Sequence, residues 1–283
     1  MSKVGIVTDT ISCLPKEIVK QYGIRIVPTG LVIDGKLYRD DELSNDEFWK
    51  LFYAVNGQTT TNAVTPGDFA TVFSDLAKTT DSIVVIVVSK ALSATHQSAV
   101  QASEMVKSEH PNLKIEVLDS KTAAGAQGFI VLEAARAAEA GKNFEEVVQL
   151  AKDMVPKVRF ITAMDTLKYL IRSGRAPKTA VIGDILQVKP IIGMVSGTGL
   201  VENLGRVRGK KKALAKITEM AKEYIDPDKP VHVMFHYTDG IAAGEELKEL
   251  VTSQLDCAEV YLTPYTPVMA SATGPVVAMA FYS

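Results

Sequence analysis

The chain has 283 residues, 47% of them hydrophobic, enough for one large or two ordinary hydrophobic cores, with two domains the better expectation. Its 31 lysines and arginines against 33 aspartates and glutamates leave a net charge of −2, which excludes the global basic surplus of a dedicated nucleic-acid binder. The two cysteines, Cys13 and Cys257, lie far apart with no motif around either, which excludes a disulfide framework or a cysteine-rich metal site and fits a reducing compartment.

At the amino terminus, Met1-Ser2-Lys3 leads into the apolar run Val4 to Val7, too short for a signal peptide and ended by Thr8-Asp9. No apolar stretch reaches the roughly 18 residues of a spanning helix, so a soluble, cytoplasmic protein is expected. Peripheral contact with a membrane is compatible with this; an integral span is not.

Val4 to Val7 reads as a strand, Thr8-Asp9-Thr10 as a loop and Pro15 to Tyr22 as a helix closed by Gly23. Ile24 to Val27 and Leu31 to Ile33 are short extended segments before the turn Asp34-Gly35. Asp46 to Val55 is amphipathic, with Phe48, Leu51 and Phe52 on one face. Gly57 to Thr65 reads as a polar loop, and Thr65-Pro66-Gly67-Asp68 as a helix start with Thr65 as the cap and Pro66 in the first turn. Ile83 to Val88 is six consecutive β-branched residues, the pattern of a strand buried on both faces of a parallel sheet. A helix from Thr95 to Lys107, a strand from Ile115 to Leu118 and an Ala-rich helix to Ala140 complete a mostly parallel, doubly wound α/β sheet.

After about residue 160 the pattern becomes mixed α+β. Thr166 to Ile171 is a helix stopped at Gly174, and Ile191 to Val195 with Leu200 to Leu204 flank the hairpin turn Ser196-Gly197-Thr198-Gly199. A helix from Lys211 to Tyr224, a strand from Val231 to Phe235, a helix from Ala243 to Leu255 and strands Glu259 to Leu262 and Val276 to Phe281 follow. The expected division is an N-terminal α/β domain, 1–164, and a C-terminal α+β domain, 165–283.

Ligands of open parallel sheets bind beyond the carboxyl ends of the strands. Here those loops carry hydroxyls: Thr8 and Thr10, Ser89 through Thr95, Asp119-Ser120, and Thr59-Thr60-Thr61-Asn62 before a helix start. Each alone is an ordinary cap or turn; four on one edge suggest a convergent set of neutral donors. Ser93 and Ala94 sit where a helix begins, so amide groups and the positive dipole end favour an anion there. Periodicity leaves the identity of that polar ligand open.

Leu167 through Arg175 is either a glycine-capped helix end with arginines complementing its dipole, or a segment that brings one arginine to face the anion. The run Arg206, Arg208, Lys210, Lys211, Lys212 is the concentrated basic patch, a solvated face or a dock for an acidic partner or phosphate. His232 and His236 share a strand face without a third ligand at readable spacing, so no metal and no cofactor is expected. No nucleophile elbow, Walker loop or dinucleotide fingerprint is present.

The ordered motifs resemble the DegV family, which includes the fatty-acid-binding subunits of bacterial fatty acid kinase. Val7-Thr8-Asp9-Thr10 resembles its Thr-Asp-Ser segment, and Thr61-Asn62-Ala63-Val64-Thr65-Pro66-Gly67-Asp68-Phe69 its Thr-Ser-Gln-Pro-Ser-Pro-x-x-Phe. Leu92-Ser93-Ala94-Thr95 with Gln97-Ser98-Ala99 is similar to Leu-Ser-Gly-Thr-Tyr-x-Ser-Ala. Asp119-Ser120, Leu170 to Arg175, Lys189-Pro190, Arg206 to Ala213 and Thr273-Gly274-Pro275 follow in family order. Asn62 stands in place of the usual Ser, Ala94 in place of Gly, and Ala272 in place of the histidine of the family's His-Thr-Gly-Pro-Gly ending.

That resemblance implies a non-catalytic, lipid-binding protein that buries a long-chain fatty acid such as palmitate in an apolar tunnel. It implies a carboxylate held by Thr61 and Ser93, with Asn62, Ala94, Thr95, Thr273 and Gly274 as further ligand-binding positions. Arg172, Arg206 and Arg208 are expected to contact a partner or a phosphate, the partner being an ATP-dependent fatty acid kinase subunit. At about 0.8 kcal/mol per CH₂, a sixteen-carbon chain offers roughly 12 kcal/mol of gross transfer energy, against binding costs of about 4 kcal/mol or more. The rival reading is an enzyme acting on a small phosphorylated or carboxylated metabolite in the interdomain cleft, with Asp9 or Asp119 as base.

Overall fold

The computed structural model describes residues 4–177 and 187–283; Met1-Ser2-Lys3 lies outside the described residues. The first half runs β1 (Gly5–Asp9), a 3₁₀ turn (Thr10–Ser12), α1 (Lys16–Tyr22), β2 (Arg25–Val27), β3 (Gly30–Ile33), β4 (Lys36–Arg39), α2 (Asn45–Ala54) and β5 (Thr59–Asn62). It continues through α3 (Pro66–Leu76), β6 (Ser82–Val87), α4 (Thr95–Glu109), β7 (Lys114–Asp119), α5 (Ala124–Glu139) and α6 (Phe144–Met154). The second half comprises β8 (Arg159–Met164), α7 (Lys168–Arg172), β9 (Val188–Met194), β10 (Glu202–Arg208), α8 (Lys210–Lys222) and β11 (Val231–Tyr237). It ends with α9 (Ala242–Thr252), β12 (Cys257–Pro264), α10 (Pro267–Thr273) and β13 (Val276–Tyr282).

Three sheets result. The first is parallel, in the order β2-β1-β6-β7. Every residue of β6 is buried: Val84 and Ile86 face α5, while Ile83, Val85 and Val87 face α3 and α4. A β-branched run without polar interruption is what two covered faces demand. The second sheet, in the order β10-β9-β8-β13-β11-β12, is antiparallel except for the β11–β12 pair. A separate core lies beneath its far face, where Leu214 and Ile217 of α8 and Leu247 and Val251 of α9 are buried.

The third sheet, β4-β3-β5, overturns the expectation of a polar loop at 57–65. Thr59 pairs with Ile33 and Thr61 with Leu31: three consecutive threonines have the β-branched shape of a strand once an apolar neighbour is offered. Asp34 and Gly35 both take positive φ, 51° and 74°, the geometry of a two-residue hairpin between β3 and β4.

Helix α5 is packed between the two larger sheets and buried along nearly its whole length. Its small residues make that approach feasible. A Cβ on Gly125 would meet His236 Nε2 at 2.6 Å, and one on Gly128 would meet the Ser12 carbonyl at 2.8 Å. β8, placed before the expected boundary at 164/165, pairs with both β9 and β13, so division by sheet membership falls before Arg159. Among the described residues no helix is long and apolar enough to cross a membrane.

Candidate functional site

A cavity of about 290 Å³ lies where the three sheets meet. Its inner wall comes from β8 and β9, where Phe160 sits opposite Met194 and Thr162 opposite Ile192 in the ladder. Helix α10 supplies Val268, Met269, Ala272 and Thr273. These residues are all buried. At the other end are Thr61 and Asn62 of β5 and the loop residues Leu92, Ser93 and Ala94 before α4; Asn62 and Ala94 are exposed, and Thr61 and Ser93 half-buried. The cavity therefore passes from a polar, wetted rim to a greasy interior.

Arg175 ties the rim together. Its Nη2 donates to Thr61 Oγ1 at 3.2 Å and its Nε to the Leu92 carbonyl at 2.8 Å, linking β5 to the β6–α4 loop. Burial pushes its pKa down, yet an arginine remains a cation at neutral pH. Gly174, at φ 73°, turns the chain out of α7, and the Arg175 N–H donates back to the Leu170 carbonyl at 3.2 Å. That glycine-induced change of direction brings Arg175 to the cavity while leaving Arg172 on the helix surface.

Ser93 accepts from the Thr95 N–H at 3.3 Å, and the two hydroxyls are 2.8 Å apart. Thr95 is fully buried and acts behind the rim, fixing Ser93. Ala94 occupies the cap position of α4 with no side-chain cap of its own; the first helical amide, that of Thr95, goes to Ser93, and the positive end of the helix dipole faces the same rim.

Thr273 lines the cavity but spends its hydroxyl on the Met269 carbonyl at 3.0 Å. Gly274 stands just beyond, at φ 69° and ψ −157°, a region open in practice to glycine alone. A Cβ there would run into the Tyr169 ring. Gly274→Ala is expected to cost about 2 kcal/mol or more of stability, read as a lowered urea midpoint with an unchanged slope.

The three arginines singled out from the sequence lie elsewhere. Arg172 donates to the Gly57 carbonyl and packs 5.4 Å from the Tyr169 ring centroid. It borders a second, polar pocket of about 260 Å³ that shares Thr61, Arg175 and Ala272 with the cavity. Arg206 and Arg208 are exposed on β10, at the edge of the six-stranded sheet. Of the two arginines in the segment from Leu167 to Arg175, Arg175 is the one that lines the cavity.

Neither candidate base lines the cavity. Asp9 is fully buried and accepts from the Ile11 and Val88 N–H groups, each at 2.9 Å; burial pushes its carboxyl up to about 6. Asp119 accepts from the Lys90 and Lys121 N–H groups at 3.2 and 2.9 Å. Both carboxylates shape loops. The paired histidines likewise have separate structural partners: His236 Nε2 accepts from the Gly125 N–H at 2.9 Å, and His232 Nδ1 lies 2.8 Å from Glu259.

The family model described as "Uncharacterised protein, DegV family" matches residues 3–283. The chain belongs to the DegV family. A DegV domain-containing protein of Caldanaerobacter subterraneus subsp. tengcongensis is 40% identical over 224 residues, covering 78% of each chain. Among solved structures, a Thermus thermophilus DegV family protein described by its fatty acid binding is similar at 30% identity, with a TM-score of 0.89 and 99% of each chain covered. A stearic acid-binding protein from Eubacterium ventriosum is similar at 26% identity and a TM-score of 0.91, covering 100% of this chain and 98% of that one. The architecture, with its parallel sheet in the first half and its mixed sheet in the second, is thus that of DegV proteins.

Proposed function

We propose that this protein binds a long-chain fatty acid such as palmitate. The acyl chain occupies the cavity and the carboxylate is held at the rim by Thr61, Ser93 and Arg175. The observation that carries this reading is the polarity gradient: hydroxyls, the amino-terminal end of α4 and one guanidinium at the outer end, and Phe160, Ile192 and Met194 within. A buried carboxylate needs such partners, and each hydrogen bond to it contributes about 1.5–3 kcal/mol. The cavity is near the lower end of the roughly 300–1,000 Å³ typical of ligand pockets. The fatty-acid ligands named for the Thermus thermophilus and Eubacterium ventriosum relatives support the same class of ligand.

In this reading Asn62 and Ala94 shape the rim, Thr95 fixes Ser93 from behind it, Thr273 with Gly274 shapes the α10 wall, and the chain has no catalytic role. The free cysteines suit a cytoplasmic setting. The exposed run around Arg206 and Arg208 suits docking of an acidic face on a kinase that brings its own ATP to the carboxylate.

Titration of delipidated protein with palmitate is expected to saturate at one ligand per chain with low-micromolar or tighter affinity, and Ser93→Ala to weaken it about tenfold. No binding by the wild type would refute the function. Unchanged binding by Ser93→Ala would refute the site.

A further inference from the structure

The inner wall of the cavity is not wholly apolar. Tyr265, just after β12, lines it and is 2% exposed. Among the described residues its hydroxyl makes no hydrogen bond of good geometry, and Thr162 is the polar side chain beside it. The residue itself is held firmly: its N–H donates to the Tyr237 carbonyl at 2.8 Å, and its ring packs 5.3 Å from that of His236. Burial pushes its pKa well above the ordinary phenol value, so the hydroxyl keeps its proton and is available as a donor. Thr162, in the same wall, gives its own proton to the Val277 carbonyl at 3.1 Å, which leaves its oxygen as an acceptor.

A cavity meant only for methylenes has no use for the Tyr265 hydroxyl. Phenylalanine in place of Tyr265 would fill the same wall without a desolvated, unpaired hydroxyl, which is costly to bury. A site that offers a buried donor and acceptor discriminates against ligands that lack the matching group.

We propose that Tyr265 is a specificity-determining residue, donating to a hydroxyl carried part-way along the acyl chain while Thr162 accepts that hydroxyl's proton, so that the preferred ligands are monohydroxylated long-chain acids. This rests on the fatty-acid reading and narrows its ligand class. The ligand oxygen then completes both wall groups at once, and the position of the hydroxyl along the chain is fixed by the depth of Tyr265 below the rim.

The test titrates the full chain and Tyr265→Phe with palmitate and with hydroxypalmitates whose hydroxyl is moved stepwise along the chain. One position, or two adjacent ones, is expected to bind the wild type about fivefold to tenfold more tightly than its neighbours in the series. Tyr265→Phe should lose that peak, with a thermal melt to verify that the variant folds. A flat isomer profile in the wild type overturns the proposal even if the variant fails to fold, and so does a peak that survives in Tyr265→Phe. Palmitate binding with a flat profile sinks only the selectivity; failure of palmitate and every isomer to bind sinks the fatty-acid reading as well.

Discussion

Replacing Arg175 with leucine is expected to weaken palmitate binding by about one to two orders of magnitude, the largest effect of any single change at the rim. Arg175 has two tasks there. It holds Thr61 and the Leu92 carbonyl in place, and it supplies the charged side chain of the cavity lining. Arg175→Lys keeps the charge but loses the planar fork that spans both loops, so its affinity should fall between those of wild type and leucine variant. Calorimetric titration of all three proteins, with a thermal melt to verify folding, checks this. Equal affinity in the leucine variant would remove Arg175 from the site.

Arg136→Leu is expected to lower stability by about 2–3 kcal/mol, intermediate between exposed and buried ion pairs. Arg136 on α5 pairs with Glu133 at 2.7 Å and, through both nitrogens of its fork, with Glu259 of β12. Tyr261 donates to Glu259 at 2.7 Å, and the His232 ring stacks on Tyr282 at 4.4 Å. This network joins the helix between the sheets to the edge of the six-stranded one. Burial opposes ionisation of Glu259, but the hydrogen bonds from Arg136, His232 and Tyr261 prevail and hold its carboxyl down at about 2. A depressed folded-state pKa contributes stability above the ordinary carboxyl value and loses it as pH falls. The wild type should therefore shed this contribution between about pH 4.5 and 2. In Glu259→Gln that part of the stability profile, followed by urea unfolding at stepped pH, should flatten. An unaltered acid limb would show that the network contributes nothing.

How much of this was legible in the sequence follows from how each segment is buried. Ile83 to Val88 announced a doubly covered strand because no polar residue interrupts it, and β6 is that strand. Thr65 and Asp68 announced α3, where they form a reciprocal cap. By contrast, every residue of α10 is buried, so it has no polar face and hence no helical period to read. β5 was hidden for a different reason: a threonine run is polar by composition and strand-like by shape, and only pairing with Leu31 and Ile33 decides between the two. At the site, Thr61 and Ser93 were legible through ordered motifs, and they line one cavity. Arg175 was not singled out, because its segment offers two arginines and only the backbone turn at Gly174 tells them apart. Tyr265 left no trace at all, since an isolated tyrosine after a strand says nothing about an unpaired hydroxyl.

The most direct test of the central claim is a crystal structure of the delipidated protein reloaded with palmitate. One carboxylate oxygen is expected within hydrogen-bond distance, about 2.6–3.2 Å, of Ser93 Oγ and the other near Thr61 Oγ1 and Arg175, with the chain running inward past Phe160 and Ile192. A palmitate bound elsewhere while this cavity stays empty, or one lying with its carboxylate at the inner wall, would contradict it.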